Sequence, residues 1–289
     1  MSLIKVKPAL RDQALWRRLV GTMLPKRTMK TEPREVVEQL EAAASLPVGS
    51  NERFNGYGVM GLPFKSGHIL AMRRFSASSL GPAYTSVWHR NPDGDWVFYA
   101  DVSPRLACAR FFGASATDAI ETEIRLTWPT PFRLRVSMPA VSFEWEVDVA
   151  ETTATRLMNA MGRLMRRIPS VVRRSPAVLT MMGKVAGPLL GVGRVRMHGR
   201  VPNGQQFVTN ARLLWAVVDS QARLAGEEFG NPGPVQPQAH LADFWIPQRG
   251  LLAIGEAYFD SFDPALHSSQ ISRSPTGAEC AKEPVCLAI

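Results

Sequence analysis

The residues whose side chains are best suited to catalysis flank a tight turn, Asn91-Pro-Asp-Gly. Proline suits the second position of a type I turn and glycine the left-handed position after it, so the segment predicts a β-hairpin closed by Asn91 and Asp95. One face of that hairpin combines a carboxylate, an imidazole, a phenol and a hydroxyl, from Asp101, His89, Tyr99 and Thr85. If this face lines a cavity, Asp101 is the candidate proton donor or base, His89 and Tyr99 orient substrate or water, and Thr85 binds the ligand. If it does not, the face is only solvated.

Three further residues are candidates for binding a ligand. Trp88 belongs to the opposite, aromatic face of the hairpin, where it faces Phe98. Trp245 lies in Asp243-Phe-Trp-Ile-Pro-Gln-Arg-Gly, a short loop that either lines a pocket mouth or docks its tryptophan on the sheet. Glu256 shares the apolar face of a predicted strand, where it is a catalytic carboxylate, a residue of the pocket rim or one half of a salt bridge.

Several common catalytic and metal-binding motifs are absent from the sequence. There is no GxSxG, HExxH, P-loop or GxGxxG motif, which argues against serine hydrolases, zinc hydrolases, kinases and Rossmann-type dehydrogenases. The five histidines lack metal-ligand spacing, and the three cysteines form no CxxC pair. We therefore expect no metal and no cofactor. The few cysteines fit a reducing compartment, so cytoplasm is the predicted location, with peripheral membrane contact as an option.

Positive charge and methionine are concentrated between residues 152 and 200. This segment holds ten Lys or Arg residues, six of the 12 methionines and no Asp or Glu, although the whole chain has a formal net charge of +9. A helical apolar stripe runs through Leu157, Met158, Met161, Leu164, Met165 and Ile168. The arginines fall on other faces, at Arg156, Arg163, Arg166, Arg167, Arg173 and Arg174. We expect two helices whose Met/Leu stripes are buried against the β structure and whose arginines face outward.

This basic segment admits three interpretations. In the first, the apolar stripe covers a ligand, and Met161 and Met165 contact that ligand. In the second, the stripe only seals a gap between the two β halves. Alternatively, its arginines meet the anionic headgroups of a membrane surface. Nucleic-acid binding is disfavoured, because the aromatic residues do not interleave with the basic ones as stacking platforms would.

The hydrophobic periodicity predicts a mainly β protein. Alternating apolar and polar residues, clearest in Phe143-Glu-Trp-Glu-Val-Asp-Val, indicate antiparallel strands, and parallel α/β folds are disfavoured because strands follow one another without helices. The predicted organisation has five parts: a helical segment at 1–50, a first β half at 51–150, a helical insert at 151–193, a second β half at 194–262 and a disordered tail at 263–289.

Three segments of the sequence resemble an uncharacterised family of actinobacterial proteins. They are Tyr57-Gly-Val-Met-Gly-Leu-Pro-Phe, Trp88-His-Arg-Asn-Pro-Asp-Gly-Asp-Trp and Asp243-Phe-Trp-Ile-Pro-Gln-Arg-Gly. More distantly, the order of strands, helices and strands over residues 50–260 resembles the AttH and hydroxyneurosporene-synthase group. That resemblance implies two calycin-like antiparallel β halves, barrel or sandwich, that enclose an apolar ligand. It also implies hydration or cyclisation chemistry with a carboxylic acid as proton donor, but it assigns no residue of this chain to that role.

Two functional hypotheses follow from these observations. In the first, a β cavity binds an isoprenoid, fatty or polyketide-like molecule, and cofactor-free hydration, isomerisation or cyclisation takes place there. In the second, the protein is a non-catalytic lipid carrier or a peripheral membrane protein that uses its basic insert. The sequence leaves open whether the protein is an enzyme.

Overall fold

The structure, a computed structural model, describes residues 32–268, except for the side chains of residues 170 and 171. The predicted mainly β fold class is confirmed. The strands are β1 Glu52–Pro63, β2 Ile69–Ser78, β3 Tyr84–Arg90, β4 Trp96–Ala100, β5 Asp118–Glu121, β6 Arg125–Thr130, β7 Arg133–Met138, β8 Phe143–Ala150, β9 His198–Arg200, β10 Gln206–Leu224, β11 Glu227–Glu228, β12 His240–Leu241, β13 Phe244–Trp245 and β14 Leu251–Phe259. The α-helices are α1 Pro33–Ala42, α2 Ala109–Phe112, α3 Thr153–Met165, α4 Ser170–Arg173 and α5 Pro176–Leu190.

Twelve strands form one curled sheet, a half-barrel, with the main order β5-β4-β3-β2-β1-β14-β10-β8-β7-β6. The strands β9 and β11 also pair with β10, and the pairing of β4 with β5 is parallel. The sheet is continuous across the two predicted β halves, because β14 and β10 from the second lie between β1 and β8 from the first. The predicted domain boundaries stay predictions.

The strand β10 makes this continuity possible because it is 19 residues long. Its N-terminal part pairs with β14 and its C-terminal part with β8. The register shifts between Ala211 and Leu213 and again between Val217 and Asp219. Such bulges bend a strand and increase its twist, which favours a curled sheet over a flat one.

The predicted hairpin register is confirmed, since Trp88 faces Phe98, His89 faces Val97 and Val87 faces Tyr99. The asparagine side chain closes the turn, because the Asp95 N–H donates to Asn91 Oδ1 at 2.8 Å. Successive side chains of β3 thus point to two different faces of the sheet, which we call the Val87 face and the Trp88 face.

Each face of the sheet supports its own hydrophobic cluster. The Val87 face packs β4 and β7 into one cluster, through Tyr99 and Val136, because the sheet curls around it. The helix α1 adds Val37 to this cluster, in agreement with a helix predicted within residues 1–50, whereas residues 1–31 lie outside the described part. The Trp88 face is covered by the aromatic residues around α2 and by the loop that carries β12 and β13. Of the tail predicted to be disordered, 263–289, the described residues 263–268 contain a turn in which the Leu266 N–H donates to the Asp263 carbonyl at 3.0 Å, whereas residues 269–289 lie outside the described part.

The helical insert departs from the prediction in two ways. It contains three helices, because the single-turn helix α4 lies between α3 and α5. The prediction that the Met/Leu stripe is buried is wrong: Met158 is buried, whereas Leu157 is 49% and Leu164 61% exposed, and Met161 is exposed as well. Of the arginines, Arg156, Arg163, Arg166 and Arg167 are exposed as predicted, but Arg173 and Arg174 are half-buried.

A pair of hydrogen bonds explains the orientation of α3. The amide of Asn159 donates to the Leu214 carbonyl at 3.0 Å and accepts the Leu214 N–H at 2.8 Å, so α3 turns its Thr155, Met158 and Asn159 face toward the sheet. On its other edge, β10 pairs with β9 up to Val208 and with β8 from Ala216, so the Leu214 backbone groups between them have no strand partner there. The apolar stripe, offset from that face, is consequently left partly in solvent.

We expect Asn159→Ala to lower the free energy of unfolding by about 2 kcal/mol, because it leaves two partly buried backbone groups without partners. Chemical denaturation measures this loss. Arg163→Ala, an exposed position on the same helix, is the matched control and should change stability little. An equal effect of both variants would show that the Asn159 amide does not anchor α3.

Candidate functional site

A cavity of about 180 Å³ lies between the Trp88 face of the sheet and the helical insert. For comparison, an engineered apolar cavity of about 150 Å³ is large enough for benzene. The wall supplied by the sheet side is aromatic and comprises Phe54, Tyr84, Trp88, Phe111, Phe112, Phe207, Phe244 and Phe259. The insert supplies the facing wall through Met158, Ala186 and Leu190. The cavity is therefore enclosed mainly by apolar side chains.

The aromatic wall is held rigid by ring–ring contacts. Phe111 stacks on Phe259 with ring centroids 3.9 Å apart, and Phe54 meets both rings edge-on. Trp88 packs against Phe112 at 4.6 Å. Such contacts fix the positions of the rings relative to one another.

The floor of the cavity has two glycines in register, Gly56 in β1 and Gly255 in β14. A Cβ on Gly56 would lie 2.0 Å from the Arg74 carbonyl oxygen, and a Cβ on Gly255 would lie 2.3 Å from that of Asn210. Because both obstacles are backbone atoms, only glycine fits this close approach of strands. The same choice removes side chains that would otherwise fill the cavity.

Arg73 brings a positive charge to this apolar wall. It is 6% exposed, and its guanidinium donates to the carbonyls of Val59, Met60 and Met72. The guanidinium also lies 4.9 Å from the ring centre of Trp88, which allows a cation–π contact. Burial lowers the pKa of Arg73 to about 10, so the side chain stays charged at neutral pH.

Two ion pairs lie at the border of the cavity. Glu256 accepts hydrogen bonds from Asn210, Arg212 and Tyr258. Burial by itself would raise the pKa of Glu256, but these hydrogen bonds and the charge of Arg212 outweigh burial and lower it. Arg196, which also lines the cavity, pairs with Asp243. Glu256 was interpreted above as a catalytic carboxylate, a residue of the pocket rim or one half of a salt bridge. Its surroundings in the structure fit the second and the third.

The predicted ligand-binding residues divide into two groups. Trp88, Trp245 and Glu256 line the cavity, whereas Thr85, Met161 and Met165 do not. Thr85 is buried next to Asp101, and its backbone N–H donates to Asp101 Oδ1 at 2.7 Å. The methionine that reaches the cavity from α3 is Met158.

The three predicted catalytic residues share one face of the sheet, but it is the Val87 face, opposite the cavity. His89 and Tyr99 are buried there, and Asp101 is half-buried at the end of the hairpin. No hydrogen bond joins any two of them within the described residues. The structure therefore does not bring them to the cavity, and their catalytic role stays a prediction.

His89 instead belongs to a chain of polar contacts that starts at Glu227. His68 Nδ1 lies 3.0 Å from His89 Nε2, and His68 Nε2 lies 3.2 Å from the Glu227 carboxylate. The ring of Phe229 stacks on His68 with centroids 3.9 Å apart. Burial, together with the proximity of His68, lowers the pKa of His89 to about 4.

Arg73 is the site residue that the sequence reasoning missed, although a signal for it exists. Period-two alternation from Ile69 and Ala71 continues to Arg73 and Phe75, which puts Arg73 on an apolar face. Phe111 and Phe112 carry no such signal, since they lie on the short helix α2 and reach the cavity only through the tertiary fold.

A cluster of metal ligands and a membrane-spanning helix are both absent from the described part of the chain. Residues 32–268 contain no group of three or more His, Cys, Asp or Glu side chains placed to hold a metal ion. No helix in this range has the length and apolar character needed to cross a membrane.

No protein-family model matches this chain, and no curated protein matches it in sequence. Among solved structures, it is similar to an acetoacetate decarboxylase from Legionella pneumophila, with 10% sequence identity and a TM-score of 0.36. The match covers 79% of this chain and 95% of that one. So weak a likeness assigns neither a reaction nor a ligand to this chain, and the resemblance to the AttH and hydroxyneurosporene-synthase group stays a prediction.

We expect the protein to lose stability on acidification because of His89. Its pKa is lowered from 6.5 to about 4 in the folded protein, so unfolding takes up a proton between these values. The free energy of unfolding should therefore fall, by up to about 3 kcal/mol, as the pH is lowered through this window. Denaturation curves at several pH values should show a smaller fall for His89→Gln and an unchanged one for His240→Gln, an exposed histidine. An unchanged fall in His89→Gln would contradict this assignment.

Proposed function

We propose that this protein binds an apolar small molecule, of isoprenoid, fatty or polyketide-like class, in the cavity between the sheet and the helical insert. The observation that carries the proposal is the cavity itself, whose walls are aromatic on one side and aliphatic on the other. Removing apolar surface from water is the dominant favourable term for such a ligand, at roughly 25 cal/mol per Å².

The packing of the cavity walls indicates a ligand-binding cavity and not a packing defect. The aromatic rings are held in place by one another, and glycines leave the floor free of side chains. Ala186 and Leu190 of α5 complete the enclosure from the insert. A closed core would fill this volume, because interiors pack densely and each void costs stability.

The proposal concerns binding and not a reaction. The residues predicted to catalyse, Asp101, His89 and Tyr99, lie on the other face of the sheet. Glu256, the carboxylate that lines the cavity within the described residues, is engaged by three hydrogen-bond donors, which leaves it poorly suited to donate a proton.

We expect Ala211→Phe to weaken binding of decan-1-ol at least about tenfold, because the larger side chain overfills the cavity. Ala211 is exposed and lines the cavity from β10, so the substitution should be compatible with folding. Titration calorimetry measures the affinity. Val218→Phe introduces the same residue at another exposed position of β10, away from the cavity, and should leave the affinity unchanged. If neither decan-1-ol nor decanoate binds the wild-type protein, the proposed function is wrong.

A second candidate function is peripheral contact with an anionic membrane. The observation that favours it is the outward-facing part of the insert, where large apolar side chains are exposed beside arginines. The apolar ones are Leu157, Met161, Leu164, Val172, Met181 and Val185. Interfacial helices combine such apolar groups with basic residues that meet lipid headgroups.

We expect the triple variant Arg163→Glu, Arg166→Glu, Arg167→Glu to reduce binding to phosphatidylserine-containing vesicles on the order of a hundredfold. Vesicle co-sedimentation measures the effect. The matched control reverses three exposed charges outside the insert, at Lys65, Arg105 and Arg249. Equal losses in both variants, or equal binding of the wild-type protein to neutral vesicles, would argue against a specific membrane face.

A further inference from the structure

Arg73 differs from the other charged residues of the cavity in having no counter-charge. Within the described part of the chain, three charged side chains line this space, and two of them are neutralised, Glu256 by Arg212 and Arg196 by Asp243. Arg73 has no carboxylate partner within residues 32–268. A buried charge without a counter-charge is costly, so it calls for an explanation.

The hydrogen bonds of Arg73 explain part of its placement. The pairing of β1 with β2 shifts register between Val59 and Leu62, and the guanidinium satisfies two carbonyls of this irregular segment. Nη1 donates to the carbonyl oxygens of Val59 at 2.5 Å and Met72 at 2.9 Å. Nη2 donates to the carbonyl oxygen of Met60 at 2.9 Å.

Five N–H groups are available on a guanidinium, and these contacts use three of them. The Nε–H and the second Nη2–H have no protein acceptor within the described residues. The three carbonyls also provide only partial negative charge. Arg73 therefore retains both an unbalanced charge and two donors, in a cavity whose other walls offer little polar surface.

We propose that the ligand of this cavity carries a carboxylate, which Arg73 binds through Nε and Nη2, while the apolar body of the ligand lies along the aromatic wall. This inference rests on the proposed function and specifies the ligand class as an apolar monocarboxylic acid, fatty or aromatic. Two donors of one planar guanidinium match the two oxygens of a carboxylate, and such pairs are among the stronger hydrogen bonds in proteins.

The hydrogen bonds to the backbone also preorganise the Arg73 guanidinium for binding a carboxylate. They fix the guanidinium in place, and Trp88 at 4.9 Å restricts it from one side. An anion that enters the cavity then meets donors that need little reorganisation, so the side-chain entropy lost on binding is small.

The direct test compares decanoate with decan-1-ol, which share an apolar chain and differ in the head group. Titration calorimetry of the wild-type protein should give an affinity at least about tenfold higher for decanoate, the effect expected of a charged hydrogen bond. Equal affinities would overturn the inference and leave the proposed function intact. If neither compound binds, the proposed function fails and the inference fails with it.

A variant pair assigns the preference to one side chain. Arg73→Met should abolish the preference for decanoate, whereas Arg196→Met, at a cavity arginine already paired with Asp243, should retain it. The opposite pattern would overturn the inference.

Because Arg73→Met also removes three bonds to the backbone, the variant can fail to fold. A measurement on the wild-type protein covers this case. The NMR signal of the Arg73 Nε–H should shift during titration with decanoate and stay in place with decan-1-ol. A signal unaffected by decanoate would overturn the inference.

Discussion

The strand β10 contacts both β segments and the helical insert, and it also lines the cavity. It pairs with β14 at one end and with β8 at the other, so a single strand joins the two β segments into one sheet. Between the segments that pair with β9 and with β8, it exposes the Leu214 backbone groups that bind Asn159 of α3. Beside that point, Asn210 and Ala211 border the cavity. The position of the insert over the sheet, and hence the enclosure of the cavity, depends on this irregular strand.

Local features of the fold were predictable from the sequence, and long-range ones were not. The turn at Asn91 determines the register of β3 and β4 by itself, because facing pairs in a hairpin are set by the turn. The pairings of β1 with β14 and of β10 with β8 join residues far apart in sequence, and alternation gives no information about partners. Alternation likewise predicted the apolar stripe of α3, but a single polar residue, Asn159, decided which side of that helix faces the sheet.

In the candidate site, too, alternation predicted local arrangement but not long-range packing. Alternation correctly separated His89, Tyr99 and Asp101 from Trp88 in the hairpin. It could not tell which of the two faces would be covered by helices and which would fill the inside of the half-barrel. The Val87 face is occupied by the core of the curled sheet, so His89 contacts His68 and Phe229 there. The Trp88 face, predicted to be only aromatic, is the one that encloses space, and its charge comes from Arg73 in the neighbouring strand β2.

Arg73 links the stability of the fold to the chemistry of the cavity. The irregular pairing of β1 with β2 leaves carbonyls that need donors, and an arginine supplies several at once from a buried position. A lysine would deliver a charge but not a rigid, planar set of donors, and an apolar residue would leave the carbonyls unsatisfied. Once an arginine is required there, the apolar wall necessarily contains a fixed positive charge with donors to spare. The proposed selectivity for an anionic head group would thus arise from the same residue that stabilises the bulged strand pair.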